Sequence, residues 1–109
     1  MITAKRLIPG SALTGSLVTY YTVPPGTMTI IKEIIFCNTD TVARTISANI
    51  IPLSGSAAIA NQIFDTYTLK ASETKIFSLS SVMPSGSFLQ ALASSAAVVS
   101  MNVSGYEIT

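Results

Sequence analysis

Met28–Asn38 reads MTIIKEIIFCN, and its pattern decides the fold. Four isoleucines fall within six residues, and β-branched side chains fit a pleated sheet better than a helix. One parity offers Met28, Ile30, Ile34 and Phe36; the other offers Ile31, Ile35 and Cys37. A strand that is apolar on both parities is a central strand covered on both faces. One cover is a second sheet, and the other is a loop, an arm or a neighbouring subunit. Lys32 and Glu33 interrupt both faces midway, so the second cover is expected to be incomplete.

Working outward, turn residues bound this strand on both sides. Pro24-Pro25-Gly26 removes two ladder donors and supplies a turn before it, and Asn38–Thr41, NTDT, offers Asx-turn chemistry after it. Arg44–Leu53 alternates, with Ile46, Ala48 and Ile50 opposite Thr45, Ser47 and Asn49. Ser54–Asn61 is the longest loop, with room for a single helical turn at Ala57–Asn61. Gln62–Leu69 and Thr74–Ser80 are two strands joined by Lys70–Glu73, with Phe77 and Leu79 opposite Ile76, Ser78 and Ser80. Ser81–Ser87 is a turn, Phe88–Ala93 a strand, and Ala97–Ile108 the last long strand. There Val99, Met101 and Val103 point inward, and Gly105 marks a bulge or a close backbone approach. In Leu13–Val23, Tyr20 and Tyr21 have opposite parity, which places one in the core and one outside. Met1–Ala12, where Pro9-Gly10 interrupts, is an arm or edge segment.

The count is seven or eight short strands in 109 residues, a spacing typical of antiparallel sandwiches. The expected fold is all-β, an antiparallel β-sandwich with jelly-roll-like topology, built on residues 13–109 with residues 1–12 as the arm. An immunoglobulin-like sandwich stays open, although its usual buried Trp and cysteine pair are absent.

Composition narrows the task. Charged residues are only 10% and hydrophobic residues 49%, against about 25% charged in an average soluble domain. Ser, Thr and Asn therefore wet most of the surface, which suits a particle component or a partly covered protein. Net charge is +1 and the six Lys/Arg are scattered, without the basic cluster that nucleic acid requires. Cys37 is alone, so no internal disulfide forms, and it reads as a small buried hydrophobe. No apolar run approaches the about 20 residues of a membrane-spanning helix, and MITAKRLIPG lacks the apolar core of a signal peptide.

With no histidine, Ser-His-Asp, Cys-His and His-containing zinc arrangements are excluded. The carboxylates Glu33, Asp40, Asp65, Glu73 and Glu107 show no paired motif. Gly10–Ser16 lacks the lysine of a phosphate loop. The expectation is a non-enzyme without cofactor or metal. An exposed tyrosine could stack on a sugar, and Asn49, Asn61 and Gln62 could bond sugar hydroxyls or, equally, loop backbone.

The pattern Tyr-x-Val-Pro-x-Gly at Tyr21–Gly26, the Ile-x-x-Ile-x-x-x-Asn that follows at Ile31–Asn38, and Val-Ser-Gly-x-Glu at Val103–Glu107 resemble small β-sandwich proteins of tailed bacteriophages. The likeness covers roughly residues 17–108, and its motifs are turn and strand-end residues. It implies a structural or protein-interaction module of the virion, in the tail, baseplate or adsorption apparatus, made in the host cytoplasm before assembly. Implied partners are other virion or tail proteins and further copies of the chain. The alternative it implies is a module that binds a host receptor or glycan. Edge-strand backbone and one neutral sheet face are the expected contacts. Tyr20, Ile31 and Ile35 are candidate interface residues, with Arg6, Leu7 and Ile8 as an arm reaching a neighbour.

Overall fold

A computed structural model describes residues 1–109. Eight strands run in chain order: β1 (Ile2–Ala12), β2 (Val18–Thr22), β3 (Met28–Asn38), β4 (Arg44–Ile51), β5 (Gln62–Leu69), β6 (Thr74–Met83), β7 (Phe88–Ala93) and β8 (Val99–Ile108). A single 3-10 turn, Ile59–Asn61, sits in the loop before β5. The strands form two four-stranded sheets, ordered β1-β8-β3-β6 and β2-β7-β4-β5, with every pairing antiparallel. First pairs with last, second with seventh, third with sixth and fourth with fifth. That nesting is the jelly roll, and the sandwich expectation is borne out.

Ile2–Ala12 is an edge strand of eleven residues, longer than Pro9-Gly10 led one to expect. Its register with β8 breaks between Arg6 and Ile8 and again between Ile8 and Ser11, and Gly10 takes φ 106. Bulges absorb the proline, so the strand bends instead of ending. β6 likewise runs on to Met83, leaving only Pro84–Gly86 as the turn.

The core lies between the sheets. Phe36, Ile8, Leu13, Ile31, Ile34, Ile46, Leu69, Met83, Leu89 and Met101 are among its large, wholly buried members, each worth about 1.5–3 kcal/mol of burial. Val99, Met101 and Val103 point inward as their alternation predicts. On β3 the inward residues are Thr29, Ile31, Ile34, Phe36 and Asn38. They do not share one parity. Pairing with β8 steps from Ile31↔Gly105 to Glu33↔Ser104, so Lys32 is an extra residue. This bulge switches parity midway and divides the apolar set differently from simple alternation. Cys37 accordingly lies half-buried on the outer face, within 3.5 Å of the Thr74 hydroxyl, and not in the core.

Gly105 sits beside the bulge, where a Cβ would press into the Ile30 carbonyl. β8 and β3 can approach there only because the side chain is missing. Aromatic rings join the two sheets along one flank: Phe36 and Phe77 from one sheet meet Phe64 and Tyr67 from the other, with centroids 4.6–5.5 Å apart across the gap. Edge-on and tilted contacts of this kind add to plain burial.

Asn38 ends β3 and is wholly buried. Its amide donates to the carbonyls of Val42, Leu69 and Lys70 at 3.0–3.3 Å, and its Oδ1 accepts the Asp40 amide at 3.0 Å. One side chain thus satisfies backbone from two turns. Asn49 and Asn61 do the same for the long loop: Asn49 donates to Asn61 Oδ1 at 2.7 Å and to the Ala58 carbonyl at 3.1 Å.

Gly105→Ala is expected to cost about 1–3 kcal/mol through overpacking, whereas Gly15→Ala, with nothing near its Cβ, stays within about 0.5 kcal/mol of wild type. Urea denaturation of both variants checks this. In the same assay Asn38→Ala is expected to cost about 2–3 kcal/mol, because its removal strands buried carbonyls.

Candidate functional site

The sheet faces are the sites to weigh. The outer face of β1-β8-β3-β6 is built in rows by the strand register. Ile2, Ile108 and Met28 share one row; Ala4, Tyr106, Ile30 and Val82 share the next. Ile2, Met28, Val82 and Tyr106 are exposed, from 39% to 67%. These side chains make one apolar band across all four strands, the kind of patch that marks an interaction surface.

A polar belt crosses the middle of the face. Arg6, Ser104, Glu33 and Ser78 follow one another in register. Arg6 donates to Asn102 Oδ1 at 3.1 Å, and Lys32 donates to Ser80 Oγ at 2.7 Å. Between Arg6, Lys32 and Tyr106 lies a shallow trough of about 410 Å³. Beyond the belt, Ile35 stands beside Ile76, which is 56% exposed.

The sequence candidates scatter across the fold. Arg6 and Ile35 share this outer face. Leu7, Ile8 and Ile31 do not reach it: they are buried in the chain's own core and offer no side chain to a neighbour. The register break after Arg6 turns both Leu7 and Ile8 inward, and the Lys32 bulge leaves Ile31 inside. Tyr20 belongs to the other sheet. A break between Thr19 and Tyr21 cancels strict alternation, so Tyr20 and Tyr21 are both half-buried and packed against the core. The expectation of one tyrosine inside and one outside is thereby corrected. Ile2, Val82 and Tyr106 were not singled out as surface residues, because their band exists only once four distant strands align. Tyr106, immediately after a buried glycine on an alternating strand, was the one local signal.

The strongest electrostatic cluster lies at the open end of the sandwich. The Tyr21 hydroxyl crosses from β2 to donate to Glu107 at 2.5 Å, and it lies 2.7 Å from the Thr29 hydroxyl. Lys5 Nζ reaches the other Glu107 oxygen at 3.2 Å. Burial and the bond to Glu107 push the Tyr21 hydroxyl up to about 12. Tyr21 and then Lys5 hold the Glu107 carboxyl below its ordinary value. Asp40 is also held low, first by its hydrogen bond from Arg44. These groups tie strands together.

The two nested four-stranded sheets define the class as a jelly-roll β-sandwich. No family model and no curated protein matches the sequence. Solved structures match its fold. A chain of the infectious bursal disease virus Gx strain superposes with TM-score 0.53 and 16% identity, covering 95% of this chain and 32% of that one. A chain of the T13 particle of infectious bursal disease virus gives TM-score 0.55 and 8% identity, covering 98% and 30%. The Gt strain gives 0.51 and 12%, covering 98% and 30%. This chain therefore spans about a third of the length of those viral chains, and the likeness is one of fold.

Tyr21→Phe is expected to cost about 1–3 kcal/mol at pH 7, the worth of a hydrogen bond to a charged group. Because the folded Glu107 titrates below its usual 4.5, its contribution is complete above that pH and fades as acid protonates the folded carboxylate. The gap between wild type and Tyr21→Phe should therefore narrow in acid. In base, wild-type stability should fall as pH rises from 10 towards 12, where the raised Tyr21 ionises. Denaturant titrations across pH test both arms.

Proposed function

We propose that this chain is a non-enzymatic structural module of a virus particle, packed against other virion proteins through the outer face of β1-β8-β3-β6. One observation carries the reading: the two-sheet sandwich superposes over nearly its whole length on chains of an icosahedral virus. The apolar band at Ile2, Met28, Val82 and Tyr106 supports it, since a face of that kind on a low-charge protein is suited to permanent contact. Three of the five carboxylates serve structural contacts, which supports a non-catalytic role: Asp40 is engaged by Arg44, Glu107 by Lys5 and Tyr21, and Glu73 by the Lys70 amide.

Within that class, the tail, baseplate or adsorption apparatus of a tailed bacteriophage is the narrower reading. It rests on the resemblance at Tyr21–Gly26, Ile31–Asn38 and Val103–Glu107. These motifs coincide with the β2–β3 turn, the end of β3 and the glycine beside the bulge. The second reading, a glycan- or receptor-binding module, is favoured by the trough, which Tyr106 lines together with Lys5, Arg6 and Lys32. An acidic sugar fits that chemistry better than a neutral one.

Density-banded, protease-treated particles from the source virus are expected to contain the chain by quantitative mass spectrometry. The double variant V82D/Y106D, altered only on the outer face, is expected to fold and yet lose incorporation by at least about tenfold, equivalent to about 1.4 kcal/mol. A chain found in infected-cell lysate but absent from purified particles would sink the proposal.

A further inference from the structure

The fold leaves four strands at sheet edges: β1, β6, β2 and β5. An open edge invites another strand unless something blocks it. Three of the four are blocked. β1 carries Pro9, a left-handed Gly10 and two register breaks. β2 has only five residues, with Pro24-Pro25 close behind. β5 breaks register with β4 and carries Thr66 at φ 49.

β6 shares only one of these features, a single register break with β3 where Leu79 and Ser80 lie between the pairs Ile31↔Ser81 and Glu33↔Ser78. It is ten residues long, contains neither proline nor glycine, and bears one charge, Lys75. Its pairing with β3 shifts once, near Lys32, yet β6 itself alternates cleanly from Thr74 to Met83. Thr74, Ile76, Ser78, Ser80 and Val82 all face outward.

We infer that β6 is a homodimerisation edge, pairing antiparallel with β6 of a second copy about a two-fold axis at Leu79. The pattern selects both occupant and register. Centring on Leu79 sets Ile76 opposite the partner's Val82 and Ser78 opposite the partner's Ser80. Lys75 then meets the partner's Met83, so no like charges oppose. Moving the centre to Ser78 would set both exposed apolar residues against hydroxyl side chains, Ile76 against the partner's Ser80 and Val82 against the partner's Thr74. Two patches that are separate in one copy also become continuous: the Tyr106–Ile30–Val82 row runs on into the partner's Ile76 and the partner's Ile35. The product is an eight-stranded sheet with one outer face. This inference stands on the edge alone and needs no virus particle.

Light scattering on the full chain over a wide concentration range is expected to give twice the monomer mass. I76K/V82K sets lysine against lysine across the axis and is expected to abolish the dimer. I76E/V82K sets glutamate against lysine twice and is expected to keep it. In a Cys37→Ser background, an equimolar mixture of the single variants S78C and S80C should oxidise mainly to the mixed disulfide dimer. Either variant alone should cross-link far less. A wild type that stays monomeric, a dimer indifferent to I76K/V82K, or equal cross-linking of S78C alone and of the mixture would each overturn the inference.

Discussion

One extra residue, Lys32, sets the geometry on which the rest of the first sheet depends. Were β3 to alternate strictly through Lys32, without the bulge, Met28 and Ile30 would face inward together with Ile34 and Phe36. With it, Ile31 and Ile34 enter the core while Ile30 and Ile35 face out. The bulge also needs β8 to come close, which Gly105 allows by lacking a Cβ that would strike the Ile30 carbonyl. A bulge in the middle of a central strand redirects side chains on both halves, because a one-residue shift exchanges faces. The core and the outer apolar band are therefore two consequences of the same inserted residue.

The sandwich is held differently at its different margins. Rings from Phe36, Phe77, Phe64 and Tyr67 join the sheets near β5 and β6. At the end where β1, β2 and β8 converge, the joint is polar, made by Tyr21, Glu107, Lys5 and Thr29. An aromatic joint is insensitive to pH, whereas the polar joint depends on the ionisation of Glu107 and the protonation of Tyr21. Asn38 and Asn49 account for turns that would otherwise bury unpaired backbone. No buried side-chain nitrogen or oxygen is left without a partner, so a chain with few charges still satisfies its interior.

An outer face that is apolar at one end and mixed-charge at its centre fits a protein that works in contact with others. Lys5, Arg6, Lys32 and Tyr106 come together there only because β1, β3 and β8 are neighbours. The charges that look scattered along the chain are thus partly collected by the jelly-roll pairing of first strand with last. Structural packing and ligand capture would draw on different parts of this face, the apolar band for one and the trough for the other.

The sequence by itself determined most of the strands and turns and the two-layer class, but not that β1 (Ile2–Ala12) is a full strand of the sandwich or that β6 runs to Met83. These are local properties: β-branched runs, alternation, and prolines or glycines that end ladders act within a few residues. Asn38 as a strand end and Gly105 as a close approach were legible for the same reason. Which side chains reach the surface was not, and of the six candidates only Arg6 and Ile35 share the outer face of the first sheet. Leu7, Ile8 and Ile31 read as surface candidates because alternation along one strand cannot reveal a bulge. A bulge is defined by the partner strand, and the residues that flank Lys32 pair with Gly105 and Ser104 of β8, about seventy residues away. Tertiary structure alone decided which faces are covered, since burial depends on pairings between β1 and β8 or β3 and β6 that span nearly the whole chain, and no local pattern encodes them.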